Sequence, residues 1–166
     1  MDNYVWEFTN QKKLNKKEFI DYFEKKVFKT IRKFGLLPKD RIFRIKKTTY
    51  INSKILKSIL EQKFNVVYSS NYNVIDDNLS DVCEKTFQNI LNGNFVGPLQ
   101  KNDGIGIPLY YHSDKEMKLY AQLKNIEGKF KARNSEIQKL FGKFIEKNQD
   151  LEINVVKSME ELIQAL

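Results

Sequence analysis

Three carboxylates, Asp76, Asp77 and Asp81, fall in one short stretch, IDDNLSD, ahead of and inside the first turn of an expected helix. Oxygen donors so placed suit a magnesium ion, but acids at a helix start act as caps far more often than as metal ligands. A second stretch, RIFRIKKTTYINSKILKSIL at residues 41–60, reads as a strand running through a loop into a helix, the unit in which α/β proteins hold phosphate. A loop that cradles phosphate needs glycines, so that several backbone N–H groups can close on the anion. Here it is KKTTYIN, which has none. No other constellation completes a reaction: there is no Ser/His/Asp elbow, no HExxH, no CxxC and no pair of carboxylates in a recognisable frame. With one cysteine and one histidine, the chain can make neither an internal disulfide nor a Cys/His zinc site. Cys83 reads as packing and His112 as an ordinary loop histidine. The residues therefore predict no catalytic group, no metal and no cofactor.

Apolar spacing gives the elements that would position these residues. Phe19, Phe23, Val27, Ile31 and Phe34 recur at steps of three and four, which predicts an amphipathic helix closed near Gly35. After the strand, loop and helix of 41–60, FNVVYSS at 64–70 predicts a second strand of buried type, and the spacing suits a βαβ unit. Residues 71–77 either continue that strand or form a third short one. A helix from Asn78 is expected to bury Val82, Cys83, Phe87, Ile90 and Leu91 and to end at Asn92-Gly93, residues 97–106 read as loop, and 107–111, starting beside Pro108, as an edge strand. Ser113 to Glu116 is a capping box opening a helix stopped by Gly128. Another helix follows Asn134 or Ser135, with Ile137, Leu140, Phe141, Phe144 and Ile145 expected to face inward, and a last one is expected to open at a second capping box, Ser158 to Glu161.

One domain is expected over 1–166, with a helical segment at 1–40, a strand and helix core at 41–112 and helices at 113–166. Apolar runs are short and the start carries no signal-peptide pattern, so a soluble, cytoplasmic protein without membrane contact is expected. The net charge of +8 favours a polyanionic partner such as RNA. Lys25, Lys26, Lys29, Arg32 and Lys33, gathered on the first long helix, are the candidate nucleic-acid contacts.

Several stretches resemble, in the same order, the archaeal and eukaryotic type of tRNA 2-thiolation enzymes, PP-loop ATP pyrophosphatases related to the adenine nucleotide alpha hydrolases. LNKKEFIDYFEKKVFKTIRKFGLLPKDRI is similar to the segment that joins the family's zinc finger to its first strand, and DNLSDVCEKTFQNILNGN to the helix after its Gly-His-Asn-x-Asp-Asp motif. IPLYYHSDKEMKLYAQLKNI resembles a later strand and helix, and FIEKNQDLEINVVKSMEEL the C-terminal end. The resemblance implies a reduced, doubly wound, mostly parallel α/β sheet flanked by helices, and a role in tRNA thiolation.

Departures fall where that chemistry resides. KTTYIN at 47–52 replaces the Ser-Gly-Gly-Lys-Asp-Ser loop, Asp76 and Asp77 stand at the Gly and His positions, and Ser80 replaces the first Asp. Asn15 and Glu18 stand where the family has a cysteine and a histidine, a central segment is missing before Val74, and no cysteine lies in 128–134. Thr48, Asn78 and Asp81 mark a vestigial nucleotide site. The resemblance thus implies a non-catalytic subunit that pairs as a heterodimer with an active PP-loop tRNA thiolase paralogue and contacts tRNA. The alternatives are a residual enzyme that binds ATP near Thr48, Asn78 and Asp81, and a stand-alone RNA-binding module.

Overall fold

In the computed structural model, which describes residues 3–165, the chain begins with a hairpin that the aromatic residues at 4–8 do not announce. Strands β1 (Tyr4–Glu7) and β2 (Lys13–Asn15) pair antiparallel and lay Trp6 against Phe19, with ring centroids 5.3 Å apart. Helix α1 (Lys16–Lys33) starts on a reciprocal cap. The Asn15 side chain accepts from the Glu18 N–H (3.0 Å), and the Glu18 carboxylate accepts from the Asn15 N–H (2.8 Å). The two residues that stand at metal-ligand positions in the resembled family are thus spent on starting a helix. At the other end Gly35, at φ +62°, lets the Leu36 N–H reach back to the Ile31 carbonyl (2.9 Å).

Strand β3 (Ile42–Ile45), helix α2 (Ile51–Leu60) and strand β4 (Asn65–Tyr68) form the expected βαβ unit, with β3 and β4 parallel and Phe43 opposite Val66. Strand β4 is exposed rather than buried, Val67 at 46% and Tyr68 at 38%, because among the described residues no element covers its outer side. Beyond β3 the sheet continues through single parallel bridges, Ile45 to Val74 and Val74 to Gly106. Residues 71–77 are therefore a third, one-residue strand in effect.

Helix α3 (Leu79–Leu91) runs to Asn92 and Gly93 as its spacing predicts, but only Val82, Cys83 and Phe87 of the expected apolar face are buried; Ile90 and Leu91, in the last turn, are exposed. The segment read as loop holds a small hairpin, β5 (Lys101–Asn102) with β6 (Ile105–Gly106). Residues 107–111 do not form the expected strand. Pro108 has no N–H to give, and turn bonds from the Tyr110 N–H to Ile107 and from the His112 N–H to Leu109 close the backbone on itself, leaving one bridge, Asn78 to Leu109. Helices α4 (Asp114–Lys124) and α5 (Ser135–Lys147) begin at the Ser113 and Asn134 caps, but of the face of α5 expected inward only Ile137 is buried and Phe141 and Ile145 partly so, while Leu140 and Phe144 are exposed. Helix α6 (Leu151–Ala165) opens seven residues before Ser158, which lies inside it, because Val156 and Met159 bury on one face with Glu152. The Ser158 to Glu161 pattern is a coincidence of helical residues.

Two apolar clusters result. The larger packs Phe19, Phe23, Ile45, Ile55, Leu56 and Tyr120 between α1, α2, α4 and the sheet. The smaller joins Cys83, Phe87, Tyr110, Ile137 and Val156, and Phe87 stacks on Phe141 with centroids 4.2 Å apart. Each fully buried side chain of this size contributes about 1.5–3 kcal/mol. No helix among the described residues is long and apolar enough to cross a membrane.

Candidate functional site

Asn78 is fully buried and caps α3, accepting from the Asp81 N–H (3.2 Å) while the Asp81 carboxylate accepts from the Asn78 N–H (2.9 Å). The same amide group donates to Asp114 at the start of α4 (2.8 Å), and the Asp114 N–H donates to the Ser80 hydroxyl (3.0 Å). Two helix starts are locked together in this way. On the other side, Thr48 donates its hydroxyl to the Asp76 carboxylate (2.7 Å), and the buried Asn52 amide donates to the Asp76 carbonyl (3.2 Å). Thr48, Asn78 and Asp81, 33 positions apart in the extreme, therefore border one site at the strand ends, with Asp76, Asp77 and Asp114 added.

Four carboxylates so close require cations, since buried charge of one sign is costly. The cations come from the strap between α4 and α5. Lys131 donates to Asp81 (2.8 Å), Asp76 (3.2 Å) and Asp77 (3.2 Å). Arg133 donates through its Nε and Nη2 to the two oxygens of Asp114 (2.7 and 2.6 Å) and through Nη1 to Asp81 (2.6 Å). This is the forked geometry that makes arginine–carboxylate pairs strong. Lys85 adds an exposed contact to Asp77 (2.6 Å).

Burial alone would lower the affinity of Lys131 for its proton, but Asp81 and Asp76 outweigh it and raise the pKa; Arg133 is raised likewise, by Asp114 and Asp81 against burial. For Asp77 burial opposes ionisation, yet Lys85 and Lys131 hold the carboxyl below its ordinary value. All three remain charged at neutral pH.

The same strap occupies the start of α2, where a phosphate would sit in a glycine-rich relative of this unit. Tyr50, the N-cap residue, makes no side-chain cap, and the Ile51 N–H donates to the Lys129 carbonyl (2.8 Å). Gly128 allows this approach: a Cβ there would stand 3.1 Å from the Ile51 Cβ and 3.2 Å from its Cα. Lys54 ties the strap further, donating to the Glu127 carbonyl (2.7 Å). Both the anion-seeking helix amide and the cation-seeking carboxylates are therefore satisfied from within. Sequence reasoning singles out residues 128–134 only for a missing cysteine; the signal available is KFKAR, three cations at alternate positions just ahead of the Asn134 cap, matching the acidic IDDNLSD.

His112 is fully buried, not a loop histidine on the surface. Its Nε2 lies 3.0 Å from the Phe23 carbonyl, which can only accept, so Nε2 carries the proton and Nδ1 is left without a partner. Burial first, then the charge of Lys26, pushes its pKa well below the ordinary histidine value. Cys83 is buried in the smaller cluster, and burial pushes its thiol up, away from thiolate chemistry.

The candidate nucleic-acid contacts divide. Lys26 is nearly buried, bonded to Glu116 (2.6 Å) and to the Tyr22 hydroxyl (2.8 Å), so its charge is spent within the fold. Lys25 is exposed with a loose partner in Asp21 (3.8 Å). Lys29, Arg32 and Lys33 are exposed and make no ion pair among the described residues.

No protein-family model matches the chain, and no curated protein matches it in sequence. In three dimensions the chain is similar to a solved structure of the U34-tRNA thiolase NcsA from Methanococcus maripaludis, determined with its [4Fe-4S] cluster, at 12% identity. The superposition covers 98% of this chain and 85% of that one with a TM-score of 0.75, so the small α/β fold of this chain is similar to that of the PP-loop-type thiolase.

Proposed function

We propose that this chain is a non-catalytic, PP-loop-like subunit in tRNA 2-thiolation, paired with an active paralogue that it stabilises, and that it offers basic side chains to the tRNA backbone. One observation carries the reading: the site where this fold holds a nucleotide is filled by the chain's own strap, Lys131 and Arg133 on the carboxylates and the Lys129 carbonyl on the Ile51 amide. A triphosphate entering there would face four carboxylates and a helix start whose first amide is already bonded.

The donor set also disagrees with an iron–sulfur cluster of the kind the solved thiolase contains. Such clusters are held by several thiolates. This chain has one cysteine, Cys83, which is buried among Phe87, Ile137 and Val156. Sulfur and adenylate chemistry would then belong to the partner.

Isothermal titration of the isolated chain with ATP and with AMP is expected to show no binding; stoichiometric heat from either nucleotide overturns the reading in favour of a residual enzyme. Co-purification from native lysate should bring down a full-length PP-loop protein. For the tRNA contact, replacing Lys29, Arg32 and Lys33 by Ala should flatten the salt dependence of tRNA binding by about 0.7–0.9 per lost phosphate contact. An unchanged slope removes α1 from the interface.

A further inference from the structure

A cavity of about 310 Å³ opens beside the basic face of α1, between the β1–β2 hairpin, the start of α4 and the start of α6. Its size is at the lower end for sites that hold a small organic ligand, roughly 300–1,000 Å³. Trp6, Phe8 and Phe34 give it aromatic walls, and Lys29, Lys33 and Lys157, all exposed, line it as well. None of these three lysines makes an ion pair among the described residues. Of the acids in the lining, Glu116 is neutralised by Lys26 and only Asp150, which accepts from Thr9, is free of a cation. The local balance is positive. Trp6 is 5% exposed, and its indole Nε1 is a buried donor that the fold leaves unpaired.

We propose that this cavity receives one unpaired nucleotide of a single-stranded RNA segment, its base against the aromatic walls and its phosphates on Lys29, Lys33 and Lys157. Rings that offer a π-face to any base, beside cations that follow the backbone, are what single-strand recognition requires. The cavity's lining includes none of Asp76, Asp77, Asp81, Asp114, Lys131 and Arg133. The proposal deepens the tRNA-contact part of the function above and rests on it for the identity of the polymer, not for the cavity itself.

Trp6 is the chain's one tryptophan, so its fluorescence reports the cavity directly. The full chain is titrated with tetrauridylate and tetraadenylate, and in parallel with inorganic tripolyphosphate as an anion without bases. Both oligonucleotides are expected to quench Trp6, and tripolyphosphate to bind more weakly without quenching. Phe8→Leu and, independently, Phe34→Leu keep the apolar volume but remove a ring. Each should weaken oligonucleotide binding on the order of tenfold while leaving tripolyphosphate unchanged. The triple Lys29→Ala, Lys33→Ala, Lys157→Ala variant should lower the salt slope by about 2. Equal affinity for tripolyphosphate and oligonucleotides without quenching, or wild-type RNA binding in both ring variants, overturns the proposal. If tRNA binds under those outcomes, the backbone contact of the proposed function survives and only the base site falls. Quenching by oligonucleotides with no thiolase paralogue in the native lysate gives the reverse.

Discussion

Replacing Lys131 by Met tests the central electrostatic claim, because methionine keeps the length and removes the charge. Lys131 is 12% exposed at its side chain, against 4% for Asp76, 16% for Asp77 and 11% for Asp81, so solvent screens the cluster little. Removing one partner of a buried ion pair costs about 3–5 kcal/mol, since the carboxylates stay behind unpaired. For a chain of this length each kcal/mol moves the melting temperature by about 2–4 °C, so a fall of roughly 6–20 °C is expected. The loss falls unevenly. Asp81 keeps Arg133 and Asp77 keeps Lys85, whereas Asp76 retains only the Thr48 hydroxyl and the burial that makes its charge expensive. Asp76→Asn should therefore destabilise the wild type but stabilise Lys131→Met, a reversal of sign that a double-mutant cycle read by thermal and urea denaturation will register. A Lys131→Met protein melting within about 2 °C of wild type, or one in which Asp76→Asn brings no recovery, refutes the reasoning.

Other outcomes follow from the same structure. His112 has a folded-state pKa below its unfolded value of about 6.5, so the unfolded chain takes the proton more readily: stability is complete above that pH and declines as pH falls from it. His112→Gln should flatten the fall of the urea midpoint below about pH 6.5, and an unchanged profile would assign the decline elsewhere. The Asp77 contribution has the other window, present above about pH 4 and lost below as the carboxyl takes its proton. Asn78→Ala removes a cap and the link to Asp114 and should cost about 2 kcal/mol, more than the roughly 1 kcal/mol expected for Asn15→Ala at its solvent-facing box, as measured by the shift in urea midpoint. Equal costs for the two would show that the α3–α4 link adds nothing.

What was legible in the sequence is local. Steps of three and four from Phe19 to Phe34 set the buried face of α1, and Gly35 its end, because both depend on residues within a turn of one another. Asn78, Ser113 and Asn134 announce helix starts for the same reason. The apolar run in β4 predicts burial, but whether a strand is covered depends on what packs outside it, and none of the described elements does. Leu109 and Tyr110 are both fully buried although adjacent, a pattern that a strand's alternation cannot produce and that comes from a turn lodged between the two clusters. Of the carboxylate site, the acidic half could be read from one stretch. The basic half could not, since Lys131 and Arg133 meet Asp81 across 50 and 52 residues, and no local period records such a pairing.

The strap also sets the terms on which any diffusible guest could enter. Because Lys131 and Arg133 are covalently joined to the walls they neutralise, they compete at an effective concentration of order millimolar that dilution cannot lower. A free nucleotide or cation would have to displace a tethered rival that never leaves the neighbourhood, and would forfeit part of its own affinity in doing so.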